Sequence, residues 1–398
     1  MSLILLLLSG TALANGQTTH LWITETARTH LPAGELADLL TGQSDVLRVG
    51  TMFPDGGYAI GHDYGEVAHW EPFQGLLRDW ILDNFDDPAG TDAAPYVAFY
   101  LGLASHGMAD QVFDSMYMER SRVYDAEYGW SQEEGSLDTS QDIVFAALTQ
   151  GQPVPERWLP DILPTLFEEA GIEVDAQTIE DGQSWLEFAV DSVTALSGSD
   201  DMVEDQADAF PWGCSHLLDE AVPGAPPMEA RIVARYWQAL WDELLGEPVD
   251  LEVIGQFPDE GTTGHTATVG DVEARLSVVF NRGLYSDVVT SEVLGVESGG
   301  ESVEVDLDLF YRDHSHVVNI APTGGWVPDA THTLRITPDL HATDDRQLAD
   351  DFTLTFSTAV DRAEADDARA CGCASGGTNR AVPGWWIGLC VLAWRRRR

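Results

Sequence analysis

The chain has 398 residues, room for more than one domain, with 67 Asp and Glu against 20 Lys and Arg for a formal net charge of -47. Such a surface repels phosphate backbones, so no nucleic-acid partner is expected. Four cysteines, at positions 214, 371, 373 and 390, are too few and too unevenly placed for a disulfide framework, and Cys371-Gly-Cys373 has no second pair with which to hold a structural zinc.

Residues 1–14 read as a secretory signal. Leu3 to Leu8 is an apolar run and Ala12-Leu-Ala14 fits a small-x-small cleavage site, although no Lys or Arg precedes the run. From Thr18 to about Leu245 the pattern is helical. Apolar residues recur at three and four over Leu21 to Leu40, with a break at Pro32. They do so again over Phe73–Phe85, Ala94–Tyr117, Gln141–Leu148, Trp185–Leu196 and Met228–Leu245.

After Pro248 the period changes to two. Val303, Val305, Leu307 and Leu309 alternate with acidic residues, and Phe352, Leu354 and Phe356 alternate with threonines. Glu273–Phe280 and His332–Thr337 are further strands. The expected fold is therefore an all-α helical domain over 15–247 followed by a β-sandwich over 248–360, which the resemblance of its last strands given below makes Ig-like. The sandwich is expected to fold on its own and to carry no site residue. His314 and His316 fall on one strand face and are read as solvent-facing. A polar linker with the Cys motif (361–381) leads to a short apolar helix and Arg cluster (382–398). The apolar stretch is short for a bilayer span, but positive charge after it fits a stop held on the cytoplasmic side during export.

The run from Phe99 to Asp114 carries the chemistry. On a helix, His106, Asp110 and Asp114 fall at i, i+4 and i+8, on one face. Their neighbours Phe99, Tyr100, Leu101, Leu103, Met108, Val112 and Phe113 leave little face for solvent. Two carboxylates and an imidazole in an apolar helix call for a cation. Thr19-His20-Leu-Trp-Ile opens the first helix, Phe53-Pro-Asp55 precedes His69-Trp70, and Glu134, Asp138 and Asp142 repeat the four-residue spacing.

Together these segments resemble the zinc-dependent phospholipase C family. The His-Leu-Trp-Ile start and the Phe-Tyr-Leu-Gly-Leu-x-x-His-x-x-x-Asp helix match its bacterial members. Phe-Pro-Asp, His-Trp and His-x-x-x-Asp match the homologous domain of the glycosylphosphatidylinositol-specific phospholipases D. The resemblance implies up to three divalent metals, zinc first. Asp55, His69, His106 and Asp110 would hold one. His20 and Asp110 would share a second, with Asp110 bridging. Asp114, Glu134 and Asp138 would hold the third. Asp55 would be the catalytic residue that orients or deprotonates water. The family has histidine where Asp114 and Glu134 stand, so the third site would favour Mg²⁺, Mn²⁺ or Ca²⁺. His62, Asp63, Glu66 and Asp142 would support or replace ligands, the amine of Asn15 is a further candidate donor, and His30 and His216 would be structural. The last strands resemble the bacterial Ig-like modules of surface-layer proteins, and the tail resembles myxobacterial sorting tails.

The resemblance implies a secreted, surface-anchored, monomeric phosphodiesterase that hydrolyses a phospholipid or glycosyl-phosphoinositide headgroup. The alternatives are a non-catalytic metal-binding adhesion protein and, third, a phosphodiesterase like the single-strand nucleases.

Overall fold

The computed structural model describes residues 15–126 and 137–359. The leader, Glu134, the linker and the apolar tail lie outside these residues.

Helices come first: α1 (Gln17–His30), α2 (Glu35–Gly42), α3 (Ser44–Met52), α4 (Asp55–Ile60), α5 (Tyr64–Ala68), α6 (Glu71–Asn84) and α7 (Ala94–Val112). A π-helical segment, Phe113–Met118, continues α7. Then come α8 (Glu119–Tyr124), α9 (Leu137–Thr149), α10 (Leu163–Glu169), α11 (Ala176–Ser197), α12 (Asp200–Ala209), α13 (Pro211–Ser215) and α14 (Pro226–Leu244). Pro32 ends α1 as expected, because the residue before a proline is pushed out of the helical region; Leu31 is extended at φ -69, ψ 140.

Helix α7 is the axis of the helical region. Apolar and small on every side, it is buried along nearly its whole length. It packs against α3, α6 and α14. Trp237 of α14 donates its indole N–H to the Leu101 carbonyl at 2.7 Å.

The strands follow: β1 (Val253–Phe257), β2 (Thr263–His265), β3 (Leu276–Leu284), β4 (Leu294–Ser298), β5 (Glu301–Val303), β6 (Val305–Asp308), β7 (Ser315–Pro322), β8 (Thr331–Ile336) and β9 (Phe352–Thr358). They form a sheet β1-β3-β7-β6 and a second sheet β2-β9-β8-β4-β5. Every pairing is antiparallel except β2 with β9. Val278, Phe280, Val318 and Ile320 of the first sheet meet Leu294, Val296, Leu334, Leu354 and Phe356 of the second in one core. The chain is thus a helical region followed by an Ig-like sandwich.

The outer face of the first sheet is also covered. Ile254, Val279 and Val317 belong to the helical core, so β3 is buried on both faces at all nine positions. Residues up to Ala359 form one compact unit. Strand β7 runs beside α7: the His316 N–H donates to Gln111 Oε1 at 2.7 Å and Asn319 Nδ2 donates to the Ser115 carbonyl at 2.9 Å.

This contact corrects the reading of the two histidines. His314 precedes β7 with φ 58, so the two do not share a strand face. His316 is buried: its Nδ1 donates to the Phe280 carbonyl at 2.9 Å and its Nε2 lies 3.3 Å from Glu71. Burial and the charge of His316 act on Glu71 in opposite senses; His316 and Arg282 prevail and hold its pKa at about 2.

Candidate metal centre

Five elements converge on one buried cluster of side chains. Helix α1 brings His20, α4 opens with Asp55, and His69 follows α5. Helix α7 supplies His106 and Asp110, and its π-helical continuation supplies Asp114. All six side chains are buried.

Close approach of backbones puts them there. A Cβ on Gly107 would stand 2.4 Å from the His69 carbonyl, so only glycine beside His106 lets the His69 turn rest on α7. At α1 the cap residue Gly16 offers no side chain. Asp142 takes that role from α9, accepting the Thr18 N–H at 3.1 Å and the Thr19 N–H at 2.8 Å. A Cβ on Gly16 would meet Asp142 at 2.3 Å. Asp142, a candidate support for the ligands, thus fixes the turn that carries His20.

His106 Nδ1 sits 2.8 Å from the Thr51 carbonyl and His69 Nδ1 sits 2.6 Å from the Gly65 carbonyl. A carbonyl only accepts, so Nδ1 of each ring holds the hydrogen. In the neutral rings both Nε2 atoms would carry lone pairs, and they face each other at 3.0 Å. Asp55 Oδ1 is 3.4 Å from His69 Nε2 and 3.7 Å from His106 Nε2. Asp110 Oδ2 lies 3.2 Å from His106 Nε2 and 3.6 Å from His69 Nε2, while its Oδ1 turns to His20 Nε2 at 2.9 Å. The His20 and His106 rings stack with centroids 4.0 Å apart.

So many acceptors converge only around positive charge. Burial opposes charging His106, but Asp110 and Asp55 outweigh it and push its pKa up to about 10. Burial would raise Asp55 and Asp110, but the adjacent imidazoles hold both below the ordinary carboxylate range. Burial and His106 together lower His20, which stays neutral. Neither His20 Nε2 nor Asp110 Oδ1 has a hydrogen-bond partner, despite their short separation.

Those orphaned atoms test whether a metal fits. Among the described residues, ligand atoms of His20, Asp55 and His106, and of His69, His106 and Asp110, lie within 4.8 Å of one another. Imidazole nitrogen with carboxylate oxygen is a donor set that suits zinc and related divalent ions. The residues present fit such an ion.

The third position differs. Asp114 is fully buried, but it belongs to neither group of three. The π-helical turn begins at Phe113 and takes Asp114 out of the α-helical register of His106 and Asp110. Burial and then Asp110 raise its pKa well above the ordinary range. Asp138 is half-buried on the first turn of α9 and is in neither group.

Sequence reasoning missed Glu229. It lies on the first turn of α14, fully buried, and accepts from Asn15 Nδ2 at 2.7 Å. Burial raises its pKa well above the ordinary range, with Asp110 and Asp114 adding to the rise; its Oε1 has no partner. Among the other candidates, His62 accepts the Tyr64 N–H at 3.2 Å within a turn. Asp63 is exposed and makes no contact with the cluster among those described. Exposed Glu66 accepts from Tyr58 and, at 2.9 Å, from Trp70. His30 is exposed at the end of α1, and His216 stacks on Trp212 at 4.7 Å.

With this geometry in hand, comparison with known proteins adds three findings. Residues 248–358 match the bacterial Ig-like domain family Big_5. The chain is similar to phosphatidylinositol-glycan-specific phospholipase D from Bos taurus, 32% identical over 23% of this chain and 12% of that protein. It is similar to the Mus musculus protein of the same name, 27% identical over 35% of this chain and 18% of that one. The chain thus spans less than a fifth of the length of these relatives. A solved surface-layer protein, SbsC, aligns over 81% of this chain and 46% of its own, at 10% identity and a TM-score of 0.22, which is too low to support any inference. No helix among the described residues is long and apolar enough to cross a membrane.

Proposed function

We propose that the chain is a metal-dependent phosphodiesterase acting on the headgroup of a phospholipid or a glycosyl-phosphoinositide. One observation carries the reading: the Nε2 atoms of His69 and His106 face each other at 3.0 Å between Asp55 and Asp110. The limited similarity to the phospholipases D supports the substrate class.

Asp55, His69, His106 and Asp110 would hold one ion, and His20 with the other oxygen of Asp110 a second. When bound, such ions supply an activated water and positive charge opposite the phosphoryl oxygens. Asp55 is fixed by a hydrogen bond from Gln17 Nε2. Its depressed pKa suits it to orient the attacking water by accepting a hydrogen bond rather than to keep its proton. His20, neutral and stacked on His106, completes a wall of nitrogen donors. We further propose that the protein is exported and held at the cell surface by its C-terminal tail, a reading that rests on sequence.

The Ig-like match favours one second reading, a surface protein in which the metal centre is structural. Headgroup release from phosphatidylcholine, phosphatidylinositol and glycosyl-phosphoinositide, with zinc, manganese or calcium supplied, tests the choice. Turnover of at least one substrate that is lost in Asp55→Asn supports the enzyme. Bound metal with no turnover of any supports the structural protein.

A further inference from the structure

The loop joining β6 to β7 crosses from the sandwich to the metal cleft. At its middle Tyr311 donates its hydroxyl to Asp114 Oδ2. The ring lies edge-on to Trp70, centroids 4.8 Å apart, and to Phe310 at 4.9 Å. Trp70 is the neighbour of His69, so one tyrosine touches both sides of the cleft. The contact is not isolated. Gln111 and Ser115, each one residue beyond Asp110 and Asp114, bind β7 through His316 and Asn319. The helix that carries the acidic residues on one side is therefore fastened to the sandwich on the other.

Asp114 is fully buried, and its second oxygen, Oδ1, has no partner. A buried carboxylate with one oxygen held by a hydroxyl and the other unpaired has the form of a metal ligand oriented from behind.

We propose that Tyr311 is a positioning residue of the metal centre, holding Asp114 so that Oδ1 is presented to a divalent ion, and that the Ig-like region is thereby a working part of the cleft. This rests on reading the cleft as a metal site. The sandwich does more than display the helical region. Its loop supplies the group that orders a ligand in the turn where the α-helical register breaks.

The test uses the full chain and titration of the metal-stripped protein with Zn²⁺ and Mn²⁺. Tyr311→Phe keeps the ring against Trp70 and removes only the hydroxyl. It should weaken binding of the less tightly held ion by no more than about 10-fold, the lower end of the usual cost of losing an outer hydrogen bond to a ligand and no greater than the loss in Asp114→Asn. It should also shift the absorption spectrum of the cobalt-loaded protein. Asp114→Asn should weaken the same ion, and the double variant should be no worse than Asp114→Asn alone, since both act through one carboxylate. A Tyr311→Phe titration and cobalt spectrum equal to wild type would overturn the proposal while leaving the metal reading intact, and so would additive losses in the double variant. Wild-type protein that binds neither ion would overturn both.

Discussion

His69 and His106 aim their Nε2 atoms at each other across 3.0 Å, while each Nδ1 is tied to a backbone carbonyl. Two tethered acceptors at that distance repel unless a proton or a cation lies between them. In the metal-free protein the proton on His106 serves; under the proposed function a divalent ion would replace it at neutral pH.

Asp110 should matter more than Asp114. Its two oxygens face different imidazoles, Oδ2 toward His106 at 3.2 Å and Oδ1 toward His20 at 2.9 Å. Asp114 touches neither. Asp110→Asn is expected to lower zinc affinity by more than roughly 100-fold, and Asp114→Asn by about 10-fold, as read by competition with a chelating dye. Equal losses would assign the bridge elsewhere.

Glu229→Gln should have opposite effects with and without metal. Its carboxylate is fully buried, has an unpartnered oxygen, and lies near Asp110 and Asp114. Without metal, removing the charge should stabilise the fold by about 1–3 kcal/mol at pH 8. With zinc present the variant should gain less on loading than wild type does. Paired melting curves with and without zinc decide it. A variant less stable than wild type in both states would make Glu229 a purely structural partner of Asn15.

How much of this was legible in the sequence depends on range. The ligands on α1, α4 and α7 stand in short motifs whose spacing is local. Glu229 gives no such signal, because a glutamate in a first helical turn is ordinary. It is buried by the long-range packing of α14 on α1 and α7, and its hydrogen-bond partner Asn15 stands 214 residues away. The π-helical turn at Phe113 likewise depends on the surroundings of the helix, so even spacing at i+8 overstated how well Asp114 aligns with His106. Helix α3 gives no periodic signal because seven of its nine residues are buried, leaving no amphipathic stripe to count. The strands were visible, but the covered outer face of β3 and β7 was not read from Leu276-Ser-Val-Val-Phe280. A continuous apolar run of that kind marks a strand buried on both sides, and here α7 and α14 cover the second side.

The cap on α1 predicts a positional effect. Gly16→Ala would drive a methyl into Asp142, to within 2.3 Å of its side chain, and Asp142→Ala would strip the Thr18 and Thr19 N–H groups of their acceptor. Each should cost on the order of 1–2 kcal/mol in urea unfolding, and both should weaken metal binding through His20. Normal metal affinity in a destabilised Asp142→Ala protein would separate the cap from the site.

The junction with the sandwich predicts acid sensitivity. Glu71 accepts from Gly283 N–H at 3.0 Å, faces His316, and has its pKa held at about 2, below the ordinary 4.5. A depressed carboxylate stabilises the fold fully above its unfolded pKa and loses that contribution as pH falls through the folded one. Wild type should exceed Glu71→Gln by roughly 3 kcal/mol at most near neutrality, and the gap should close between pH 4.5 and 2. A gap independent of pH would mean that the hydrogen bonds, not the charge, hold the junction.

The central claim is that a divalent ion at His20, Asp55, His69, His106 and Asp110 supports phosphodiester hydrolysis. The most direct measurement follows headgroup release and bound metal in one sample, stripped with chelator and then reloaded stepwise. The account predicts no release from stripped protein, recovery in proportion to bound ion, and none in Asp55→Asn loaded to the same content. Full release from metal-free protein would contradict it.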